Sequence, residues 1–430
     1  MSTQRADGRQ NDDGETYGRL AFREGPASGQ TDALTDDGTG PAHEELASKR
    51  SVTATMLLFG FNGLTMGVFA GALATLKEIF GLSAMQVSGL LVMSGVMAVI
   101  AMQSCGRLSD HFGARRFALA GIVPLAIGTT TLALAPNYAA ALVGTAFLGL
   151  GNGALDVSMN AIAVQVEAAR GKGIMSFFHG LWSGGNLLGS GALAAAAALT
   201  ALGSDGVVKT VLLGATGLGV VVLFAAYKIV PDTQPVTQVD HTGAKVKLPP
   251  TIYLLGLMAL MFGLGEGSAF DWSGIHVSEV AGVDPAQGAL AVTALATAIT
   301  VVRLMGDLIV AKFGPRLVVR TGAVLAVAGY LIAAFGSGFG LLVVGWAMVG
   351  FGMGIVAPQV YSLAGHTGGG RGLATVVTFG YAVFLVGPAI LGALVTWLDI
   401  QHAMLVPGLA MIGLLFLAHI LPEKGAAQTL

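Results

Sequence analysis

Past residue 50 the chain is built mainly of long apolar stretches, and these dictate what it can fold into. Twelve follow one another: Val52–Leu76, Met85–Cys105, Phe117–Leu134, Ala139–Val166, Ile174–Ala201, Val207–Val230, Ile252–Phe270, Ala286–Ala311, Leu317–Phe335, Leu341–Leu363, Leu373–Leu398 and His402–Leu421. A helix crossing the hydrocarbon core of a bilayer needs about 20 mostly apolar residues, which is close to the length of each. Turn chemistry marks the breaks, as in Gly81-Leu82-Ser83, Ala135-Pro136-Asn137, Gly203-Ser204-Asp205-Gly206 and Gly336-Ser337-Gly338. Only 11% of the residues are charged and 54% are hydrophobic, against roughly 25% charged in soluble domains. The expected fold class is an all-α membrane protein with twelve transmembrane helices.

Several functions are excluded by residue content alone. A net charge of −2 offers nothing to a nucleic acid. Cys105 is the single cysteine, so no intrachain disulfide can form. The sequence has no CxxC or His-rich cluster for a metal, and no phosphate-binding loop of the kind that drives an ATP-powered pump. No nucleophile and base stand out as an enzyme's pair, so neither cofactor nor metal is expected. Residues 1–50 are rich in acids, Gly, Ser and Thr and contain no apolar run. They read as a disordered tail, without the apolar core of a secretory signal.

Lys and Arg in short loops set membrane orientation. Lys49 and Arg50 precede the first stretch. Arg107, Arg115 and Arg116 follow the second, Arg170 and Lys172 the fourth, Lys245 and Lys247 the sixth. Lys312, Arg316 and Arg320 follow the eighth, and Arg371 the tenth. The opposite connections carry only Lys77 and Lys209. The expectation is a multi-pass protein of the plasma (inner) membrane, with both termini and every even-numbered connection in the cytoplasm.

The chain also repeats itself. Gly106 and Asp110-His111-Phe112-Gly113-Ala114-Arg115 follow the second stretch; Gly306-Asp307 and Lys312-Phe313-Gly314-Pro315-Arg316 follow the eighth. Ala146-Phe147-Leu148-Gly149-Leu150-Gly151-Asn152-Gly153 is echoed by Ala347-Met348-Val349-Gly350-Phe351-Gly352-Met353-Gly354. A parallel repeat about an axis along the membrane normal is expected. It implies two six-helix bundles with pseudo-two-fold symmetry, at 51–230 and 251–421, joined by a cytoplasmic linker at 231–250. Cytoplasmic tails are expected at 1–50 and 422–430.

Two carboxylates fall inside apolar stretches, Asp156 in the fourth and Glu266 in the seventh. An ionisable group in hydrocarbon costs on the order of 3 kcal/mol and survives where it meets a water-filled cavity or a partner. Asn152, Asp156 and Asn160 recur every four residues and so share one helix face. Burial disfavours the charged form of a carboxyl, which suits Asp156 to carrying a proton. Glu266, set among Gly263, Gly265 and Gly267, is a second proton or polar-group site. His179, Trp182 and Asn186 share a face of the fifth stretch, and His179 has the side chain best suited to proton relay near neutral pH. Gln359 and Tyr361 are candidates for hydrogen-bonding a solute. Trp272 reads as an interfacial anchor, and Arg303 with Asp307, four residues on, reads as a structural ion pair.

The run Gly106-Arg107-Leu108-Ser109-Asp110-His111-Phe112-Gly113-Ala114-Arg115-Arg116 resembles the loop motif between helices 2 and 3 of the major facilitator superfamily, and Gly306–Arg316 stands where that superfamily repeats it. Within it, Asp156 four residues before Asn160, and Glu266 ahead of Trp272, resemble the fucose:proton symporter group. That group's acid in helix 1 has no counterpart here; the nearest polar residue is Asn62. The Pro-containing helix 5 signature of antiporters is absent as well. The resemblance implies that Gly106, Arg107, Asp110, Gly113, Arg115 and Arg116, with Asp307, Gly314 and Arg316 in the second copy, form an inner gate. It implies a secondary active transporter moving a small polar solute, with a sugar among the candidates, by proton symport. The expected partners are the solute, a proton or sodium ion, and the bilayer. The rival readings are an efflux antiporter for amphipathic compounds and a transport-dead sensor on the same scaffold.

Overall fold

The computed structural model describes residues 41–171, 174–233 and 248–424. The expected tail at 1–40, most of the expected linker and residues 425–430 lie outside the described residues. A short helix, Pro41–Ala47, leads into twelve long ones. These are α1 (Lys49–Ile79), α2 (Ala84–Phe112), α3 (Ala114–Leu134), α4 (Tyr138–Arg170), α5 (Met175–Leu199), α6 (Ser204–Ile229), α7 (Pro250–Ala281), α8 (Pro285–Phe313), α9 (Pro315–Phe335), α10 (Phe339–Gly369), α11 (Arg371–Leu398) and α12 (Ile400–Ile420). Among the described residues, all except α5 are long and apolar enough to cross a membrane. α5 falls short because His179, Trp182, Ser183, Asn186 and Ser190 interrupt its apolar run.

Local chemistry fixes the helix starts. Ser48 caps α1 by accepting from the Ser51 N–H, and Ser83 and Gln86 form a reciprocal capping box at α2. Asn137, Asp284 and Asp399 cap α4, α8 and α12. α5 has no capping side chain of its own; the Glu167 carboxylate of α4 accepts from the Ile174 and Met175 N–H groups at 2.6 and 2.7 Å. α10 breaks at Gly354-Ile355. Pro358 brings no N–H to the carbonyl four residues back, so the helix cannot close over Gly354.

All odd-numbered helices start at one end of the molecule and all even-numbered ones finish there. This is the end rich in Arg and Lys, and we call it the basic end. α1 is central and mostly buried. It packs on α5, α3 and α2 pack on α4, α7 packs on α11, and α8 and α9 pack on α10. α5 meets α8, α2 meets α11, and α1 meets α7 and α8 across the middle. Small residues let these helices approach closely, which is how helices associate in lipid. A Cβ on Gly63 would lie 1.9 Å from the Trp182 carbonyl oxygen, and one on Gly67 2.1 Å from that of Asn186.

At the basic end the repeated motif is repeated in structure. Gly113 and Gly314 both turn the chain with positive φ, 80° and 81°. Each abuts the segment leaving the sixth helix of its set: a Cβ on Gly113 would lie 2.9 Å from the Thr233 oxygen, and one on Gly314 2.7 Å from the Lys424 nitrogen. Arg115 donates to Asp232 and to the Tyr227 carbonyl, both at 2.7 Å. Arg316 donates to the Leu421 carbonyl at 2.8 Å and pairs with Glu423.

Candidate functional site

The polar side chains of the helices converge at mid-depth. Arg303 of α8 is their centre. Its Nη2 donates to Glu266 Oε1 on α7 at 2.8 Å, its Nη1 to Ser183 Oγ on α5 at 2.7 Å, and its Nε to the Gly354 carbonyl on α10 at 3.2 Å. The last partner is the carbonyl that Pro358 leaves without a helical donor. The Glu266 and Arg303 side chains are only 17% and 18% exposed. Arg303 turns to Glu266, a carboxylate that the neighbouring helix offers at the same depth; the ion pair expected between Arg303 and Asp307 falls on a side chain outside the described ones. The side chains of Asp307 and Asp110 lie outside the described ones.

Around this pair stand other residues singled out by the sequence. Tyr361 is within electrostatic range of Glu266 and Arg303, and His179 within range of Arg303. The His179 ring meets Phe59 edge-on at 5.3 Å, and the residue is exposed in the first turns of α5, whose start lies at the basic end. Trp182 donates its indole N–H to Asn62 Oδ1 at 2.7 Å, joining α5 to α1. Asn62 is wholly buried and its Nδ2 has no partner among the described residues; the same holds for Asn186 Oδ1, 3% exposed. These two amides have bonding capacity that no group among the described residues uses. Gln359 and Asn152 are half-buried.

Asp156 lies on α4, half-buried, with Asn160 one turn on. The Asn160 amide donates to the Asp156 carbonyl at 2.9 Å and to its carboxylate at 3.4 Å. No cation pairs with Asp156 among the described residues. Tyr381 of α11 is within electrostatic range of both Asp156 and Tyr361. It therefore stands between the carboxylate of the first six helices and the Glu266–Arg303 pair of the last six.

The sequence missed Tyr381 and Ser183, which carry no charge to flag them. It undervalued Arg303, although the insertion cost that marks Asp156 applies equally to an arginine in an apolar stretch. Trp272, expected as an interfacial anchor, is 0% exposed and packed inside α7's neighbours. Of the loop-motif residues, Gly113 and Gly314 are buried and Arg107 and Arg116 exposed, while Gly106 lies against α4 near Val157. Arg115 and Arg316 are engaged within their own half. Among the described residues no group of three or more His, Cys, Asp or Glu could hold a metal ion.

Polar side chains of the first six helices and of the last six thus meet at Arg303, which joins Ser183 to Glu266. The family model for the Major Facilitator Superfamily matches residues 55–375. An uncharacterized transporter of Sinorhizobium fredii is 30% identical over 380 residues, covering 87% of this chain and 98% of that one. Among solved structures, a nucleoside transporter superposes with a TM-score of 0.68 at 12% identity, over 86% of this chain and 99% of its own. The Escherichia coli fucose:proton symporter superposes at 0.57 with 17% identity, over 86% and 99%. The twelve-helix fold, the family match across both sets of helices and the transporter relatives together make this chain a member of the Major Facilitator Superfamily, a membrane transporter and not an enzyme.

Proposed function

We propose that the protein is a proton symporter for a small polar solute in the inner (plasma) membrane, with both termini in the cytoplasm. The observation that carries the reading is Asp156: a carboxylate deep in a membrane span, held by Asn160 and without a cationic partner among the described residues. An acid so placed is tolerable as the neutral form, and it gains a function if protonation and solute binding share a cavity. Bundles 51–230 and 251–421 rock about that cavity on the linker 231–250, and the solute meets Asn62, Asn152, Asn160, Trp182, Asn186, Gln359 and Tyr361. The free capacity of Asn62 and Asn186 suits a hydroxylated solute. The likeness to a fucose:proton symporter and to a nucleoside transporter, whose cargoes both contain a sugar ring, favours the sugar class.

In this cycle the outward-facing form binds a proton at Asp156 and then solute; release of the proton to the cytoplasm weakens the site and lets the solute go. His179, in the first turns of α5 near the basic end, provides the exit relay. Glu266 stays paired to Arg303 until the cavity reorganises. The experiment is uphill uptake in proteoliposomes under an imposed proton gradient, after a sugar screen by thermal shift has identified a ligand. Asp156→Asn is expected to abolish accumulation against a gradient while leaving solute exchange. Uphill transport at the wild-type level at every pH would remove Asp156 from the coupling role.

A further inference from the structure

Asp271 is an acid within a membrane-length helix that the scheme above leaves without a task. It lies five residues beyond Glu266 on α7, away from the basic end, and is half-buried. Among the described residues it makes neither an ion pair nor a side-chain hydrogen bond. It lines a crevice between α7 and α11 together with Gly267, Ser268, Trp272, Gly387 and Pro388. The void there is about 10 Å³, close to the roughly 10–15 Å³ that one water needs. Trp272 lines the same crevice, wholly buried, and its indole N–H has no acceptor among the described residues. An indole only donates, so this wall calls for an acceptor and is poorly matched to a metal cation.

The position of the crevice matters as much as its lining. On its α11 side, Ser88 of α2 donates to the Pro388 carbonyl at 2.6 Å. Gly392 makes that contact possible: a Cβ there would lie 1.9 Å from Ser88 Oγ. The crevice thus sits under the seam where α2 closes on α11, and parting those helices would uncover it.

We infer that Asp271 is a second proton-binding carboxyl, loaded from the end opposite the basic one when α2 parts from α11. The step is a bare proton transfer: a hydronium ion at the open seam gives up H⁺ and becomes water, and the carboxylate becomes a neutral acid before the seam closes. Other charged or titratable groups near it are spoken for. On α7 itself, Glu266 is paired with Arg303 of α8. His276 Nε2 donates to the Ala333 carbonyl, and its Nδ1 accepts from Trp346. From α1, Lys77 pairs with Glu279. α9 presents Tyr330, bonded to the Gly265 carbonyl; α10 presents Tyr361, and α11 Tyr381, seven residues before the Pro388 that lines the crevice. The place of this proton in the cycle rests on the symport reading; its binding does not.

The test is infrared difference spectroscopy of the purified full chain between acid and alkaline pH, with no solute present, reading the carbonyl stretch of protonated carboxyls. Asp271→Asn is expected to remove one titrating band, and to leave the bands removed by Asp156→Asn and Glu266→Gln. Trp272→Phe should shift the Asp271 band, since it deletes the donor in the crevice. Asp271→Glu keeps a carboxyl in place and should restore a titrating band at a shifted frequency, which covers the case in which the Asn variant fails to fold. The inference is overturned if the Asp271→Asn spectrum superimposes on wild type, or if the band it lacks is the one that Asp156→Asn or Glu266→Gln also removes. Failure of Asp156→Asn to affect uphill uptake would damage the symport reading and leave this result standing.

Discussion

Arg303 carries a permanent charge into the middle of the membrane, and all three of its nitrogens are engaged by groups on three other helices. Truncating one member of a buried pair strands the other, at a cost of about 3–5 kcal/mol, whereas replacing both by neutral groups of similar size is often close to neutral. Arg303→Ala should therefore lower the melting temperature markedly, because Glu266 loses its cation. The double variant Glu266→Gln with Arg303→Met should recover most of that loss. A thermal-unfolding double-mutant cycle reads the difference. Equal losses for Arg303→Ala and the double variant would mean that the stranded charge is not the cause. Sequence periodicity placed Asp156 and Asn160 on one face, and the structure has them hydrogen-bonded. It could not reveal that Arg303 reaches sideways to α7, since spacing along a helix says which face a residue shares but not which helix it meets. The same blindness put Trp272 at the interface. Its position near the end of an apolar stretch is the same whether a neighbouring helix covers it or not.

At the scale of the helix, close approach between α1 and α5 is the feature most open to a clean test. Gly67→Ala puts a methyl group 2.1 Å from the Asn186 carbonyl oxygen, so α1 and α5 must move apart. Overpacking of this kind costs about 1–3 kcal/mol. Gly60, on the same helix, has nothing within 4 Å of where a Cβ would stand, and Gly60→Ala should stabilise by up to about 1 kcal/mol through helix propensity. Opposite shifts in melting temperature for two alanines on one helix are the expected outcome; shifts of one sign would mean that the α1–α5 contact is soft. The start of α12 supplies a pH test. Asp399 adopts φ 87°, ψ 166°, a region that favours glycine. Its carboxylate accepts from the backbone N–H groups of His402 and Gln401 and pairs with the His402 ring. The His402 backbone N–H foremost, with the His402 side chain, holds this carboxyl below its ordinary pKa. A depressed folded-state pKa means the cap's contribution is fully present above the unfolded-state value and fades as pH falls through the folded one. Asp399→Asn should therefore matter least in acid, and melting curves of the two proteins should converge as pH is lowered. The twelve helices themselves were legible because apolar length is a one-dimensional signal. The break in α10 was less so, as its cause combines Pro358 with a carbonyl one turn back that only Arg303's position on another helix satisfies.

At the scale of the whole molecule, the polar ties between the first six helices and the last six have an uneven distribution among the described residues. Lys77–Glu279, Ser204–Asp284 and Ser88 to Pro388 lie toward the end opposite the basic one, and Arg303–Ser183 lies at mid-depth. Toward the basic end, His179, Leu304 and Leu308 are exposed. In a transporter that alternates between two faces, a state closed on one side would carry its ties in this way. Surface ion pairs are worth about 0–1 kcal/mol each, so the closed end is held by a few weak contacts, as an equilibrium that must reverse in every cycle requires. Glu279→Gln should shift that equilibrium by no more than about fivefold, the factor that 1 kcal/mol represents, and leave the melting temperature nearly unchanged. Covalent closure should act differently. In a Cys105→Ser background, Lys77→Cys with Glu279→Cys joined by a bifunctional thiol reagent cannot open that end. A third cysteine, His179→Cys, then reports the opposite face through a membrane-impermeant maleimide. Crosslinking should raise labelling at position 179, because the population is held open toward the basic end, and reductive release of the linker should restore the lower value. If labelling at 179 instead falls or is indifferent to the crosslink, closure of one end is not linked to opening of the other, and the rocking of two bundles about a common cavity fails with it.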